Sequence, residues 1–222
     1  MSECGCVTAS GGRCFPGPFR TRTQAHPRTP HPLAFTMPLI DLLRRRRSIK
    51  KFTAHPVTRA EIETLLDAAI LVPNHRLTEP WRFYVLGPDA REAYGRALGV
   101  RKAKKIEDPD ASRAMRDRVA AEHRALPCMI AVAVVKSDNP ETAEEDYAAA
   151  MMGVQNIMLA AVELGLGTAI RTGGVMGDDA ARAAAGVAEN ERIVAIVNVG
   201  EPEETPGGPK KRAAGELTTW VA

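Results

Sequence analysis

The chain of 222 residues has little cysteine, and what it has is unevenly placed. Three of the four cysteines precede residue 15, and only Cys128 occurs elsewhere, inside an apolar run. This distribution excludes a disulfide framework and favours a cytoplasmic protein, because reducing compartments keep thiols free. The early group of Cys4, Cys6 and Cys14 lacks a fourth ligand, so we expect no zinc site and no other metal.

Two further absences exclude whole classes of protein. No run approaches the about 18 consecutive apolar residues of a membrane span, so no membrane association is predicted. The net charge is only +3, and all of it lies in residues 1–36, whose four arginines face a single acid. Residues 37–222 are therefore neutral overall, which disfavours a nucleic-acid-binding protein with a basic domain.

Residues 1–36 differ from the rest of the chain in composition. They contain five prolines and four glycines and lack the apolar core of a signal peptide. We therefore expect an N-terminal extension that is disordered and has no part in function. Regular patterning begins at Met37, which is a candidate for the true start, so the folded domain is predicted to span residues 37–222.

From Met37 onward, the hydrophobic periodicity predicts alternating helices and strands. A capping box at Thr58–Glu61 begins one of the helices, because the hydroxyl and the carboxylate can satisfy free N–H groups there. The order indicates a layered α/β or α+β protein. Helices are predicted near 39–47, 58–72, 89–98, 100–125, 142–164 and 178–185, and strands at 81–86, 128–135, 168–171 and 192–199.

The helix predicted over 142–164 is apolar on nearly every face from Ala148 to Leu164. A helix that is apolar all round must be buried all round. In a protein of this size, this predicts a subunit interface as well as a core position. Ile157 is one of the residues expected at the interface.

Four segments could carry chemistry, and each has a simpler structural interpretation. Residues 44–52 hold six cations and a serine, which suits a phosphate but also a solvated helix end. Residues 72–81 place His75 in a loop, where a lone histidine is more often structural. Residues 164–174 are glycine-rich without matching a phosphate-loop motif, and a helix end followed by a turn explains them equally. Residues 200–212 end in a basic cluster typical of a solvated tail.

Taken together, the four segments resemble the nitroreductase family of flavoproteins in order and spacing. The matching pieces are R-R-S-I-K-K-F, P-N-H-x-x-x-E-P-W-R-F, L-G-L-G-T-A-I-R-T-G, and G-E-P followed by P-K-K-R. The resemblance spans residues 37–212. It implies an α+β, three-layer α/β/α fold with a central mixed, mainly antiparallel sheet flanked by helices. It also implies a homodimer with two FMN sites at the interface, each built from both protomers.

The resemblance implies a role for each matching residue. The first and last segments would bind the FMN phosphate, with Lys50 instead at the pyrimidine end of the ring. A cation there stabilises negative charge on reduced flavin. His75 would contact FMN from its loop, and the third segment would lie beside the ring, its backbone donating towards N5. The implied cofactor-binding residues are Arg46, Arg47, Ser48, Lys50, His75, Ile170, Arg171, Thr172, Gly173, Lys210 and Arg212.

The sequence also departs from the family pattern. Glu79 stands where many relatives have glutamine, Leu71 replaces an FMN-contacting arginine of some members, and Ile170 replaces tryptophan. Residues 100–125 lack the aromatic residues that often cover the flavin, so substrate stacking is not assigned.

The implied activity is an FMN-dependent transfer of hydride from NAD(P)H, through the flavin, to a small-molecule acceptor such as a nitroaromatic, quinone or enone. No catalytic side chain is assigned, because the flavin performs the chemistry. Two alternatives stay open. One is a flavin-binding or flavin-sequestering protein without efficient turnover, and the other is a family member specialised for a small aldehyde or for dehalogenation.

Overall fold

The structure, a computed structural model, describes residues 38–221. The predicted extension with Cys4, Cys6 and Cys14 lies outside the described residues. The described helices are α1 (Leu39–Arg45), α2 (Arg59–Ala69), α3 (Pro88–Ala103), α4 (Pro109–Arg124), α5 (Pro140–Glu163) and α6 (Asp179–Ala185). The strands are β1 (Trp81–Val85), β2 (Cys128–Val135), β3 (Gly167–Arg171) and β4 (Glu191–Gly200), and short 3₁₀ helices cover Gly174–Gly177 and Ala214–Leu217.

The four strands form one sheet in the order β1-β2-β4-β3, and every neighbouring pair is antiparallel. A single parallel bridge joins Ser48, which lies outside the named strands, to Thr168 of β3. Strand β2 is apolar and almost fully buried, as a central strand should be. This confirms the predicted α+β fold with a mainly antiparallel sheet.

Each face of the sheet carries its own hydrophobic core, because successive strand residues point to opposite faces. One face buries Ile130, Val132 and Val197 against α2 and α5. The opposite face buries Met129 and Ile196 against α3 and α6. Helix layers therefore cover both faces, which gives the three layers that the sequence predicts.

Helix α5 is more exposed than its composition predicts. Ile157 is fully buried in the protomer's own core, so its expected place at the subunit interface is wrong. Met152, by contrast, is 42% exposed. Ala148, Met152, Gln155 and Leu159 form one stripe at helical spacing that no described residue covers completely. Only part of the circumference of α5 is buried within one protomer.

Helices α3 and α4 form a closely packed hairpin beside the sheet. Helix α3 extends to Ala103, five residues beyond the predicted end. A Cβ atom at Gly99 would lie 2.8 Å from Arg116 Cα, so glycine permits this close approach. Val119 and Ala120 of α4 are buried, although residues 100–125 are rich in charge and would be expected at the surface.

In the part of the chain that the structure describes, no helix combines the length and the apolar character required to cross a membrane.

Candidate functional site

The cationic segment around Ser48 is anchored to the outer edge of β3. The backbone N–H of Ile49 donates to the carbonyl oxygen of Thr168 over 2.8 Å. The Ile49 side chain is buried against Gly167, where an added Cβ would overlap it. This glycine is required for the close approach. The anchoring holds Lys50 next to the end of β3.

Lys50 and the end of β3 line a cleft of about 580 Å³. Arg171 and Thr172 lie on its β3 side, and Asn198 comes from the neighbouring strand β4. The facing wall consists of side chains from α3 and α4 and the residues that follow α4. That wall comprises Tyr94, Leu98, Lys102, Glu122, His123 and Leu126. The structure therefore brings the first and third predicted segments together.

The cleft has more positive than negative charge. Among the residues described, the side chains of Lys50, Lys102 and Arg171 have no hydrogen bond or ion pair, whereas many other arginines pair with carboxylates. The acid in the lining, Glu122, lies 3.9 Å from Arg118. Uncompensated cations in a concave site attract anionic or electron-rich ligands.

Two rings of the facing wall are uncharged at neutral pH. His123 Nδ1 donates to the carbonyl oxygen of Val119 over 2.8 Å. Burial, together with the positive charges of Lys102 and Arg171, lowers the pKa of His123 below its ordinary value. Burial also raises the pKa of Tyr94 to about 12. The two ring centroids lie 6.2 Å apart, so together they form a neutral wall opposite Arg171.

Asn198 indicates that the cleft is suited to a ligand. Its side chain is 6% exposed, and its Oδ1 atom has no hydrogen-bond partner among the described residues. A buried carbonyl oxygen without a partner is unfavourable and is normally paired in native proteins. A ligand with an N–H donor, such as a flavin ring, would satisfy it. The residues present therefore fit the implied cofactor.

The third predicted segment presents its residues in two directions. Ile170 packs against the core beneath α5, on the face of the sheet opposite the cleft. Any contact it makes with a ligand in the cleft must therefore come from its backbone. Gly173 has a φ of +138°, a conformation that side chains rarely permit, so its backbone is exposed close to Thr172.

The arginine-rich end lies beside the chain that follows β4. Arg46 ends α1, is half-buried, and makes no side-chain hydrogen bond among the described residues. The Arg47 guanidinium donates to the carbonyl oxygens of Arg44 and Arg46 and lies close to Gly208.

The last predicted segment, residues 200–212, is attached to the end of the first. A backbone bridge pairs Phe52 with Pro202, and the Thr53 hydroxyl donates to the Glu201 carboxylate over 2.7 Å. Lys210 and Arg212 follow, both exposed, and neither side chain has a hydrogen bond or ion pair among the described residues.

His75 lies away from this cleft within one protomer. Its Nδ1 atom is 2.9 Å from Glu145 Oε1, and Arg76 Nε donates to Glu145 Oε2 over 2.8 Å. The loop is also backbone-strained, with φ values of +52° at Leu77 and +44° at Glu79. The interactions with α5 hold the loop in this conformation, and His75 is absent from the lining of the Lys50 cleft.

Sequence reasoning missed four side chains of the cleft. Asn198 had a signal, since it is a lone polar residue within an apolar strand. No sequence pattern indicates the other three, Lys102, Tyr94 and His123, because only the packing of α3 on α4 brings them to one wall. Residues 100–125 do lack aromatic residues, but the imidazole of His123 and the nearby ring of Tyr94 occupy that wall instead.

The contact of Glu145 with the His75 loop predicts a pH dependence of stability. Hydrogen bonds from His75 and Arg76 lower the pKa of Glu145 below its usual range. The ionised carboxylate therefore stabilises the fold above the pKa of the unfolded chain, and this contribution is lost as the pH falls from about 5 through the lowered pKa. Melting temperatures between about pH 3 and 7 should fall less steeply for Glu145→Gln than for the wild type.

Glu144→Gln is the matched control, because Glu144 is exposed and has no ion-pair partner among residues 38–221. The melting temperatures of the two variants should therefore fall with different steepness as the pH is lowered. The same steepness for the wild type and both variants would show that Glu145 does not stabilise the loop.

Comparison with known proteins agrees with this geometry. The family model described as "Nitroreductase family" matches residues 43–201. YfhC of Bacillus subtilis (strain 168), named for an NAD(P)H nitroreductase activity, is 33% identical over 78% of this chain and 89% of its own length.

Two solved structures share the fold. A nitroreductase-like family protein from Bacillus cereus matches with a TM-score of 0.74 and 24% identity over 86% of this chain and 99% of its own. The FMN- and NADPH-dependent nitroreductase NfnB of Sphigopyxis sp. strain HMH matches with a TM-score of 0.68 and 20% identity over 84% of this chain and 100% of its own. The chain belongs to the nitroreductase family.

Proposed function

We propose that this chain is an FMN-dependent oxidoreductase that transfers hydride from NAD(P)H to an acceptor such as a nitroaromatic, quinone or enone. The observation that carries the proposal is the meeting of Lys50, Arg171 and the unpartnered Asn198 in one cleft. The names of YfhC and NfnB, which specify NAD(P)H and FMN, support it. When bound, FMN supplies the redox chemistry, accepting hydride from the donor and passing it to the acceptor.

The residues of the cleft would position the ring and control its charge. Lys50 would stabilise the negative charge of reduced flavin, and Asn198 would accept a hydrogen bond from a ring N–H. The backbone around Gly173 can approach the ring because no side chain intervenes. Tyr94 and His123 would provide an uncharged surface on the facing wall.

The phosphate would be bound at the arginine-rich end. Arg46, Arg47 and Ser48 are the proposed donors of the first segment, and Lys210 and Arg212 those of the last. Guanidinium groups suit this role because they offer paired N–H donors to phosphate oxygens. One short segment would thus contact both parts of the cofactor, the ring through Lys50 and the phosphate through residues 46–48.

The proposal is tested by anaerobic titration of the purified protein with NADH and NADPH. We expect at least one of them to bleach the visible absorbance of the oxidised flavin. Adding a nitroaromatic, a quinone or an enone should then restore it, and steady-state kinetics should be ping-pong. Flavin that binds but is reduced by neither nucleotide would contradict the enzymatic function and favour a flavin-sequestering protein.

The phosphate assignment predicts different effects for neighbouring arginines. Arg46→Ala should weaken FMN binding about tenfold or more, since a hydrogen bond to a charged group contributes about 1.5–3 kcal/mol. Arg212→Ala should have an effect of similar size. Arg44→Ala is the control, because Arg44 is exposed and pairs with Asp41 at 3.2 Å. Dissociation constants from fluorescence quenching check the prediction, and equal values for all three variants would refute it.

The active form is proposed to be a homodimer. The exposed large apolar side chains lie mainly on α1, on α5, between α2 and β1, and in the C-terminal tail, where Trp220 is 92% exposed. Monomers rarely leave such surface in water, and a symmetric pair would cover it. A dimer also gives His75 a role, since this residue does not reach the cleft of its own protomer and can serve the partner's site.

The exposed stripe of α5 provides the test of assembly. Met152→Glu should give a monomer or a weakened dimer that has also lost FMN, because burying an unpaired charge at an interface is unfavourable. Val100→Glu is the control, since Val100 is an exposed apolar residue on α3 outside this stripe. Light scattering coupled to flavin absorbance measures both properties. A folded Met152→Glu monomer with full FMN content would contradict the dimer and the shared site.

A further inference from the structure

The facing wall of the cleft carries a charge that binding of FMN does not explain. Lys102 comes from the last turn of α3, opposite the β3 side of the cleft, and belongs to none of the segments implied in flavin binding. Arg171 extends from the end of β3 into the same cleft. Within residues 38–221, neither side chain has a hydrogen bond or ion pair.

Both residues line the same cleft, and the facing wall between its two sides includes His123. The positive charges of both Lys102 and Arg171 act on the single imidazole of His123. Arg101, next to Lys102, lies against Gly174 just beyond β3 and has no ion-pair partner in the described chain. The mouth of the cleft is therefore cationic from two sides.

Besides its polar residues Lys50, Glu122, Thr172 and Asn198, the cleft has apolar side chains and rings in its lining. Leu98, Leu126, Val175 and Ile196 provide apolar surface, and Tyr94 and His123 provide neutral rings. The volume of about 580 Å³ is within the usual range of small-molecule sites. Apolar walls with a few convergent cations select a ligand that has both an apolar ring and an anionic group.

We propose that Lys102 and Arg171 form an anion subsite that binds the carboxylate of an aromatic acceptor, so that the enzyme prefers acidic aromatic acceptors over neutral ones. This inference rests on the proposed function, because the acceptor must lie in the same cleft as the flavin. Lys50 is not part of the subsite, since it is the residue proposed to stabilise the ring of the cofactor. The phosphates of the nucleotide donor are the other source of negative charge that could reach Lys102.

The first test compares two acceptors of matched size, 4-nitrobenzoate and 4-nitrobenzamide, with the flavin-loaded protein. The wild type should have the higher kcat/KM for 4-nitrobenzoate. Lys102→Gln should reduce the ratio of the two kcat/KM values about tenfold, which corresponds to about 1.4 kcal/mol. Lys102→Arg should restore the preference, because the charge is kept. Lys104→Gln, which removes an exposed charge outside the cleft lining, should retain the wild-type ratio.

A binding measurement separates failure of this inference from failure of the proposed function. Calorimetric titration with benzoate and benzamide requires no turnover and can be made with and without FMN. Benzoate should bind the wild type more tightly than benzamide, and Lys102→Gln should lose this difference. Benzoate binding that depends on Lys102 in a protein that reduces neither acceptor would leave the subsite standing and overturn the enzymatic function.

Three results would overturn the subsite itself. One is a wild type that does not distinguish the acid from the amide in either assay. Another is a preference for the acid that Lys102→Gln leaves intact while both acceptors are reduced. The third is an effect of Lys102→Gln only on the ratio of the NADPH and NADH rates in the anaerobic reduction, which would assign the charge to the phosphates of the donor.

Discussion

The position of the candidate site depends on the pairing of Ile49 with the outer edge of β3. Strand β3 is an edge strand, and its free N–H and C=O groups would otherwise remain open to water or to another chain. The 2.8 Å hydrogen bond from Ile49 to Thr168 and the bridge at Ser48 cover that edge. Because Gly167 leaves room for the Ile49 side chain, the segment lies flat on the strand and Lys50 reaches the cleft beside Arg171.

The second determinant is the α3–α4 hairpin, which provides the other wall. Gly95 and Gly99 are poor helix formers, yet each lies where a Cβ would meet α4 at under 3 Å. The close packing that they permit sets how far Lys102 and His123 stand from β3. The cleft thus combines a strand edge that positions Lys50 with a helical hairpin that provides the facing wall.

Much of this arrangement follows from sequence patterns that act locally. The capping box at Thr58–Glu61 is present as predicted, because its two reciprocal hydrogen bonds involve neighbouring residues only. The apolar runs of β2 and β4 likewise determine central strands. The length of α3 could not be predicted, since its two glycines weaken the helix locally and are explained only by contact with α4.

The same distinction applies to the site. The glycine-rich and cationic segments identify Lys50 and Arg171, but their meeting depends on the pairing of residues about 120 positions apart. Asn198 is marked in the sequence as a polar residue in an apolar run, but its missing hydrogen-bond partner is visible only in the structure. Lys102 belongs to no motif and could not be assigned from sequence. The prediction that Ile157 lies at the subunit interface is also wrong, because its side chain is buried in the protomer's own core. Composition alone does not distinguish the core face of α5 from its exposed face.

The central claim is that each protomer binds one FMN in the cleft between Lys50 and Arg171. The most direct measurement is the flavin content of the purified protein, from its visible spectrum and from identification of the flavin released on heating. The account predicts about one FMN per protomer and a yellow protein, since each protomer provides one cleft lined by Lys50 and Arg171. A colourless protein that fails to quench the fluorescence of added FMN would contradict it.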